Sequence, residues 1–291
     1  MNVFPPPRVA AIHDLSCVGR CALTVVMPTL SVMGCQVIPL PTALLSSHTG
    51  GFDDLYFRDL TADMGEITAH FSRLRMTFRS VYTGFLGSAE QIRTVSAFLD
   101  RFASLPDESG EKPLIFVDPV MGDDGVLYST YTRELVDGIR TLCYRAHVMT
   151  PNLTEACLLT DTPYRNTALL SEKDAETYVA ELSEKLRAYG AERTVITGIV
   201  LCSGRIANYG SEKGKTFCVS LPARRKSYPG TGDIFASVTL GALLRGTAFP
   251  DAVAEAAEFV ATLIGASENI PTEERYGVAL EPYLRLLTKK D

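Results

Sequence analysis

An α/β fold with a mostly parallel central sheet is what this 291-residue sequence predicts, on three observations. Short apolar runs alternate with longer stretches of helical period along nearly the whole chain, the mark of βα units. Glycines stand where the helical stretches end, as helix stops do. Late in the chain, two β-rich runs flank a polar, glycine-containing turn, which adds an antiparallel hairpin to the sheet edge.

The elements follow in order. A strand is predicted over Val9 to Ile12, then a helix over Arg20 to Met33 closed by Gly34, then a strand over Gln36 to Leu40. A third strand, Ser80 to Thr83, precedes a helix from Ala89 to Phe102, with Ser88 as its cap. Strands are expected at Leu114 to Val117, Ala146 to Met149 and Thr194 to Thr197, with a helix from Glu172 to Tyr189 ending at Gly190. The hairpin joins Arg205 to Tyr209 with Thr216 to Leu221. After it the chain turns helical: Gly232 to Leu244 stopping at Gly246, Ala252 to Ala266, and an amphipathic piece near Leu280 to Leu287. Ser104 to Lys112 reads as a surface loop. With no Pro, Gly or Ser-rich linker and no internal repeat, residues 1–291 form one domain in this reading.

Composition supports a packed core and removes several functions. With 46% hydrophobic and 21% charged residues, disorder is excluded as the main state. There are 28 basic against 34 acidic side chains, and the longest basic tract, Arg224-Arg225-Lys226, reads as a solvated turn, so nucleic acid is not expected as a partner. No apolar run approaches the ~20 residues of a membrane span. Met1 to Arg8, with three consecutive prolines, does not read as a secretory signal, and a cytoplasmic enzyme is expected. Seven scattered cysteines read as reduced, mostly buried thiols. His13, Cys17 and Cys21 recur at a spacing of four, but Asp14, Ser16 and Gly19 argue against the helix a zinc site would need.

Two glycine-rich segments compete as phosphate binders. Gly210-Ser-Glu-Lys-Gly214-Lys215-Thr216 has three residues between its glycines where a P-loop needs four, and a β-like run follows it, so it reads as a hairpin turn. Pro229-Gly230-Thr231-Gly232-Asp233 instead opens a helix. Its turn amides and helix N-terminus make an anion hole, and Asp233 is placed to take a proton from an attacking hydroxyl. Phe235 stands where a dinucleotide fingerprint wants glycine.

Other segments converge on the same chemistry. Asp118-Pro-Val-Met-Gly122-Asp123-Asp124-Gly125 follows a buried strand, and carboxylates at a strand's carboxyl end lie where open α/β sheets bind ligands. Thr150-Pro-Asn152-Leu-Thr-Glu155 puts two hard oxygen donors, Asn152 and Glu155, on one face of a starting helix, which suits Mg²⁺ held through waters. Each has an ordinary reading too: a helix-dipole partner for Asp233, a turn for Asp118-Pro119, an N-cap and capping box for Asn152 and Glu155. The early segments His13-Asp14-Leu15-Ser16-Cys17-Val18-Gly19-Arg20 and Ser46-Ser47-His48-Thr49-Gly50-Gly51 are candidates for holding a small polar substrate.

With these residues assembled, the sequence resembles the pyridoxal kinase group of the ribokinase superfamily over essentially its whole length. The carriers are Val18-Gly19-Arg20, Ser47-His48-Thr49-Gly50, Thr83-Gly84-Phe85-Leu86-Gly87-Ser88, Asp118-Pro-Val-Met-Gly122, Pro151-Asn152-Leu-Thr-Glu155 and Gly230-Thr-Gly-Asp233. The resemblance implies a ribokinase-like three-layer α/β/α sandwich and ATP-dependent transfer to the 5′-hydroxyl of pyridoxal, pyridoxine or pyridoxamine. By matching position, Asp233 would be the base and Gly230, Thr231 and Gly232 the anion hole. Asp14, Ser16, Val18, His48, Thr49 and Phe85 would contact the substrate. Asp118, Asn152, Glu155, Thr197 and Gly198 would serve ATP, with Asp118 and Glu155 organising Mg²⁺ through water. A monovalent cation such as K⁺ and a homodimer are also implied.

The sequence departs from that pattern in places. Asp14 stands near where the group has a substrate-touching serine, and an acidic side chain there favours a cationic amine. Thr231 replaces the cysteine of a related subgroup. Gly50-Gly51-Phe52 differs from the usual aromatic pattern. A hydroxymethylpyrimidine kinase of thiamin synthesis and a non-catalytic vitamer or nucleotide sensor are the alternative readings.

Overall fold

Alternation along the strands decides the architecture. In β1 (Arg8–Val18), Ala10 and Ile12 join one apolar cluster, while Val9 and Ala11 join another on the opposite face. A strand apolar on both faces must be covered on both. The computed structural model, which describes residues 5–288, covers it with two helical layers. The first residues of the Met1 to Arg8 segment lie outside the described residues.

The elements run α1 (Leu23–Val32), β2 (Gln36–Ser47), β3 (Phe57–Asp59), α2 (Thr61–Arg73), β4 (Ser80–Thr83), α3 (Ala89–Phe102), β5 (Leu114–Val117) and a small hairpin of β6 (Gly122–Asp123) and β7 (Val126–Leu127). Then come α4 (Arg133–Cys143), β8 (Val148–Met149), α5 (Leu153–Leu159), α6 (Glu172–Leu186), β9 (Arg193–Val200), β10 (Arg205–Glu212), β11 (Lys215–Pro222), α7 (Thr231–Leu244) and α8 (Phe249–Ser267), with a 3₁₀ segment over Glu281–Leu287. Side-chain oxygens of Ser88, Thr132, Asn152 and Ser171 cap α3 to α6 by accepting from the third residue inside each helix.

The main sheet has nine strands in the order β11-β10-β9-β8-β5-β4-β1-β2-β3. Its centre is parallel; β10, β11 and β3 are antiparallel additions at the edges. Helices α2 to α6 contribute to the cluster holding Met64, Phe98, Leu135, Ala156 and Leu182. Helices α1, α7 and α8 build the other, around Leu30, Leu240 and Val253. Helix α7 is buried from Ile234 to Ala242, because α1 and α8 cover the side that the sheet does not. The chain runs from β1 to β2 on one side and, from β4 onward, on the other side of β1. This reversal opens a crevice at the strands' carboxyl ends.

Several boundaries differ from the sequence reading. β1 and β2 run on to Val18 and Ser47, so Asp14, Ser16, Ser46 and Ser47 lie in strands rather than loops; the β1–β2 ladder continues past a bulge between His13 and Leu15. α1 begins at Leu23 rather than Arg20, because Ala22 turns with a φ of 47° and gives its amide to a distant side chain. β8 is shorter than Ala146 to Met149. β9 continues to Val200, which puts Thr197 and Gly198 inside it. The long hairpin turns at Lys213-Gly214, with Gly210 paired in β10, as the rejected P-loop segment requires. β3, α2 and α4 are elements the alternation leaves unassigned. Of the seven free cysteines four are buried; Cys218, despite apolar neighbours, is exposed on edge strand β11.

Candidate active site

The crevice is a cavity of about 370 Å³ whose wall takes residues from the ends of β1, β2, β5 and β8 and from the start of α7. It gathers Asp14, Ser16, His48, Thr49, Phe85, Asp118, Asn152, Glu155, Thr197, Gly230, Thr231, Gly232 and Asp233. Two candidates lie outside. Val18, at the end of β1, is 42% exposed, and the Gly198 amide donates to Asn208 Oδ1 at 3.2 Å within the sheet.

The glycine turn before α7 has a steric cause. Gly230 holds a φ of 79°, and a Cβ there would come within 1.9 Å of the Arg20 carbonyl oxygen. No other residue fits, so the turn is fixed against the segment that leads into α1. The first intrahelical bond of α7 runs from Ile234 N–H to Gly230 O at 3.0 Å, which leaves the amides ahead of it without helical acceptors. Thr231 contributes its amide only, since its hydroxyl donates to Tyr228 O at 2.9 Å.

Asp233 sits in the first turn of α7. Its Oδ2 accepts the Ala22 N–H at 2.9 Å, and Oδ1 lies 4.0 Å from Nδ1 of the buried His13. Burial, with Asp14 adding like charge, pushes the Asp233 carboxyl up to about 7 despite the Ala22 hydrogen bond. Asp118 accepts from Thr150 Oγ1 at 3.2 Å, and burial together with the charge of Asp233 pushes it up to about 8. Glu155 is raised by burial and by Asp118, although both of its oxygens accept backbone amides, from Asn152 and Met121. Asp14, bonded to Ser16 Oγ at 2.7 Å, is raised by burial.

Some candidate side chains are already committed to the fold. Asn152 and Glu155 close a capping box, and Asn152 Nδ2 donates to Gly122 O at 2.8 Å. The His48 ring accepts the Gly50 amide at Nδ1 and, with its proton on Nε2, donates to Arg275 O at 2.6 Å. It straps the β2 end to the C-terminal segment rather than offering a free nitrogen. Asp123, from the carboxylate segment after β5, and Cys21, weighed above only for zinc, also line the cavity, as do residues the sequence reading passes over, among them Tyr128, Thr130 and Ser227. The Asp123-Asp124-Gly125 turn is a local signal for the small hairpin beside them; Ala22 has none.

Among the described residues no lysine or arginine lines the cavity. Five carboxylates of the cavity, Asp14, Asp118, Asp123, Glu155 and Asp233, are raised together, and with no cation beside them among the described residues they are a donor set that a hard divalent cation would satisfy. Among the described residues no three His, Cys, Asp or Glu side chains cluster as metal ligands, so an ion at Asp118 and Glu155 would keep waters. The zinc spacing has no such cluster either, with His13 and Cys17 on a strand and Cys17 exposed.

A mostly parallel sheet with a glycine turn opening a helix and a group of raised carboxylates at one crevice is the arrangement of a small-molecule phosphotransferase of the ribokinase-like class. The phosphomethylpyrimidine kinase family matches residues 23–277. A protein of Bacteroides thetaiotaomicron described as a phosphomethylpyrimidine kinase is 38% identical, with a TM-score of 0.88 over 99% of this chain and 96% of that one. Its orthorhombic crystal form contains pyridoxal. The pyridoxal kinase of Lactobacillus plantarum is 30% identical, with a TM-score of 0.84 over 97% of this chain and 96% of that one. A pyridoxine/pyridoxal/pyridoxamine kinase of Bordetella avium is 26% identical over 87% of this chain and 82% of its own length. The chain belongs to the phosphomethylpyrimidine kinase family and is a kinase. No helix among the described residues is long and apolar enough to cross a membrane.

Proposed function

We propose that the protein transfers the γ-phosphoryl group of ATP to the 5′-hydroxyl of a vitamin B6 vitamer. The observation that carries the proposal is Asp233: a partly buried carboxylate, raised to about 7, fixed at one oxygen by Ala22 and set in the first turn of the helix whose amides form the anion hole. A base tuned near neutrality is in its carboxylate form often enough to act and basic enough to accept the proton. In the transfer, Asp233 takes the proton of the 5′-hydroxyl as its oxygen bonds to phosphorus and the bond to ADP breaks. The amides of Thr231 and Gly232 receive the charge on the transferred group.

Asp14, Ser16, Thr49 and Phe85 form the vitamer wall, and Asn152, Glu155 and Thr197 the ATP side. Asp118 and Glu155 would hold Mg²⁺, which when bound neutralises phosphate charge. Support for the B6 ring comes from the 38%-identical relative crystallised with pyridoxal. The family's own description favours a second reading, a hydroxymethylpyrimidine acceptor.

One comparison separates the two: kcat/KM for ATP-dependent phosphorylation of pyridoxal, pyridoxamine, pyridoxine and hydroxymethylpyrimidine. The proposal requires a vitamer to lead by at least about tenfold, equal to ~1.4 kcal/mol of transition-state binding. A lead for hydroxymethylpyrimidine replaces it with the second reading. Binding without turnover of any of the four makes the protein a sensor.

A further inference from the structure

His13 lies in β1 next to the base and has no part in the steps above. Its side chain is wholly buried, and neither ring nitrogen has a hydrogen-bond partner among the described residues. Leaving a buried polar atom unpaired is costly, so an imidazole at this position calls for a use. Its Nδ1 stands 4.0 Å from Asp233 Oδ1, the oxygen that Ala22 does not hold.

The ring is aimed by its neighbours. Tyr82 meets it edge-on, with centroids 4.3 Å apart and planes at 76°. On the Nδ1 side, position 84 is glycine, and a Cβ there would fall within 2.2 Å of Nδ1. Any larger residue would push the ring off the edge that looks toward the base. Burial lowers the His13 pKa to about 3, so the ring is neutral at working pH, with one nitrogen a donor and the other an acceptor. Other titratable groups face Asp233 as well. Asp14 of β1 and Asp118 after β5 share its charge sign, and Cys21, Tyr82 of β4 and Tyr128 are kept protonated by burial.

We propose that His13 is a positioning residue for Asp233: its neutral ring presents Nδ1–H to Oδ1, and the present separation closes to a hydrogen bond when substrate fills the cavity. The carboxylate is then held at both oxygens, by Ala22 and by His13, as it meets the 5′-hydroxyl. Hydrogen bonds of this kind are commonly long in the unliganded enzyme and tighten in the Michaelis complex. The substrate proton goes to Asp233 alone; His13 neither gains nor loses one. The inference rests on the reading of Asp233 as the base.

The test is steady-state kinetics of His13→Leu and His13→Asn, each made alone and with Asp233→Asn. Losing one hydrogen bond to a charged group corresponds to about 10- to 100-fold in kcat, with KM for ATP and vitamer expected to stay within about twofold. His13→Asn, whose amide N–H can fall near the Nδ1 position, is expected to recover most of kcat. In the Asp233→Asn background, His13→Leu is expected to have no further effect. An unchanged kcat in His13→Leu, or an equal drop with and without the Asp233 carboxylate, overturns the proposal. Should His13→Leu fail to fold, Gly84→Ala displaces the ring without removing it, and the same loss of kcat at constant KM is expected; an unchanged kcat there overturns the proposal too. If Asp233→Asn itself retains kcat, the base assignment falls and takes this proposal with it. Loss at Asp233 with none at His13 overturns only the positioning role.

Discussion

Replacing Asp233 by Asn keeps the shape of the side chain and an oxygen for the Ala22 amide, and removes only the proton acceptor. General-base catalysis contributes about 10²- to 10⁴-fold, or ~3 to 5.5 kcal/mol of barrier, so kcat is expected to fall by that order. The anion hole is backbone, so ATP should still bind. The pH profile carries a second signature. With Asp233 raised to about 7, wild-type kcat/KM should fall as pH drops below that value and level off above it, and the Asn variant should lose this acid limb. A third signature concerns stability. Because the folded pKa of Asp233 is raised from 3.8 to about 7, its contribution to stability is fully present below about pH 4 and is lost as pH rises through 7. The ceiling of that loss is about 4 kcal/mol. Unliganded Asp233→Asn should therefore melt above the wild type at pH 8 and close to it at pH 4. An unchanged kcat refutes the reasoning, and so does an acid limb that survives the substitution.

Three further outcomes are expected. Gly230→Ala forces a Cβ against the Arg20 carbonyl in a left-handed turn, and should abolish measurable turnover while lowering the melting temperature. Glu155→Gln keeps an acceptor oxygen for only one of the two backbone amides and loses its charge, so the Mg²⁺ concentration for half-maximal rate should rise about tenfold or more with little change in vitamer KM. Phe98→Ala empties a fully buried site between Phe78 and Phe102, and urea unfolding should show about 3–5 kcal/mol of lost stability with turnover retained under native conditions.

Much of the fold is legible in the sequence where apolar pattern alone decides it. β4, β5 and α3 match their expected limits to the residue, because Ser80–Thr83 and Leu114–Val117 are buried runs and Ser88 marks the helix start. The pattern fails where function interrupts it. Asp14 and Ser16 break the apolar run of β1, yet its ladder with β2 continues to Val18, and those polar side chains are the ones facing the cavity. α2 buries fully only Met64 and so carries a weak periodic signal, whereas α4, with Thr132 as cap and Leu135, Val136, Ile139 and Leu142 buried, has a readable stripe. Most site candidates meet in one cavity because they sit at strand ends and helix starts, positions that local motifs announce. The Ala22–Asp233 bond, between residues 211 apart, and the approach of His13 to the same carboxylate have no local signature. His48 shows the converse: its motif is legible, but its two hydrogen bonds give it a structural duty that the motif alone does not reveal.

The central claim is that this kinase phosphorylates a B6 vitamer at its 5′-hydroxyl with ATP. The most direct test incubates the purified protein with Mg·ATP and pyridoxal or pyridoxamine, and quantifies ADP by chromatography and the vitamer 5′-phosphate by ³¹P NMR and mass spectrometry. The account expects the two products in equal amounts, both lost in Asp233→Asn. ADP formed without vitamer phosphate, or phosphate found on another oxygen of the ring, would contradict it.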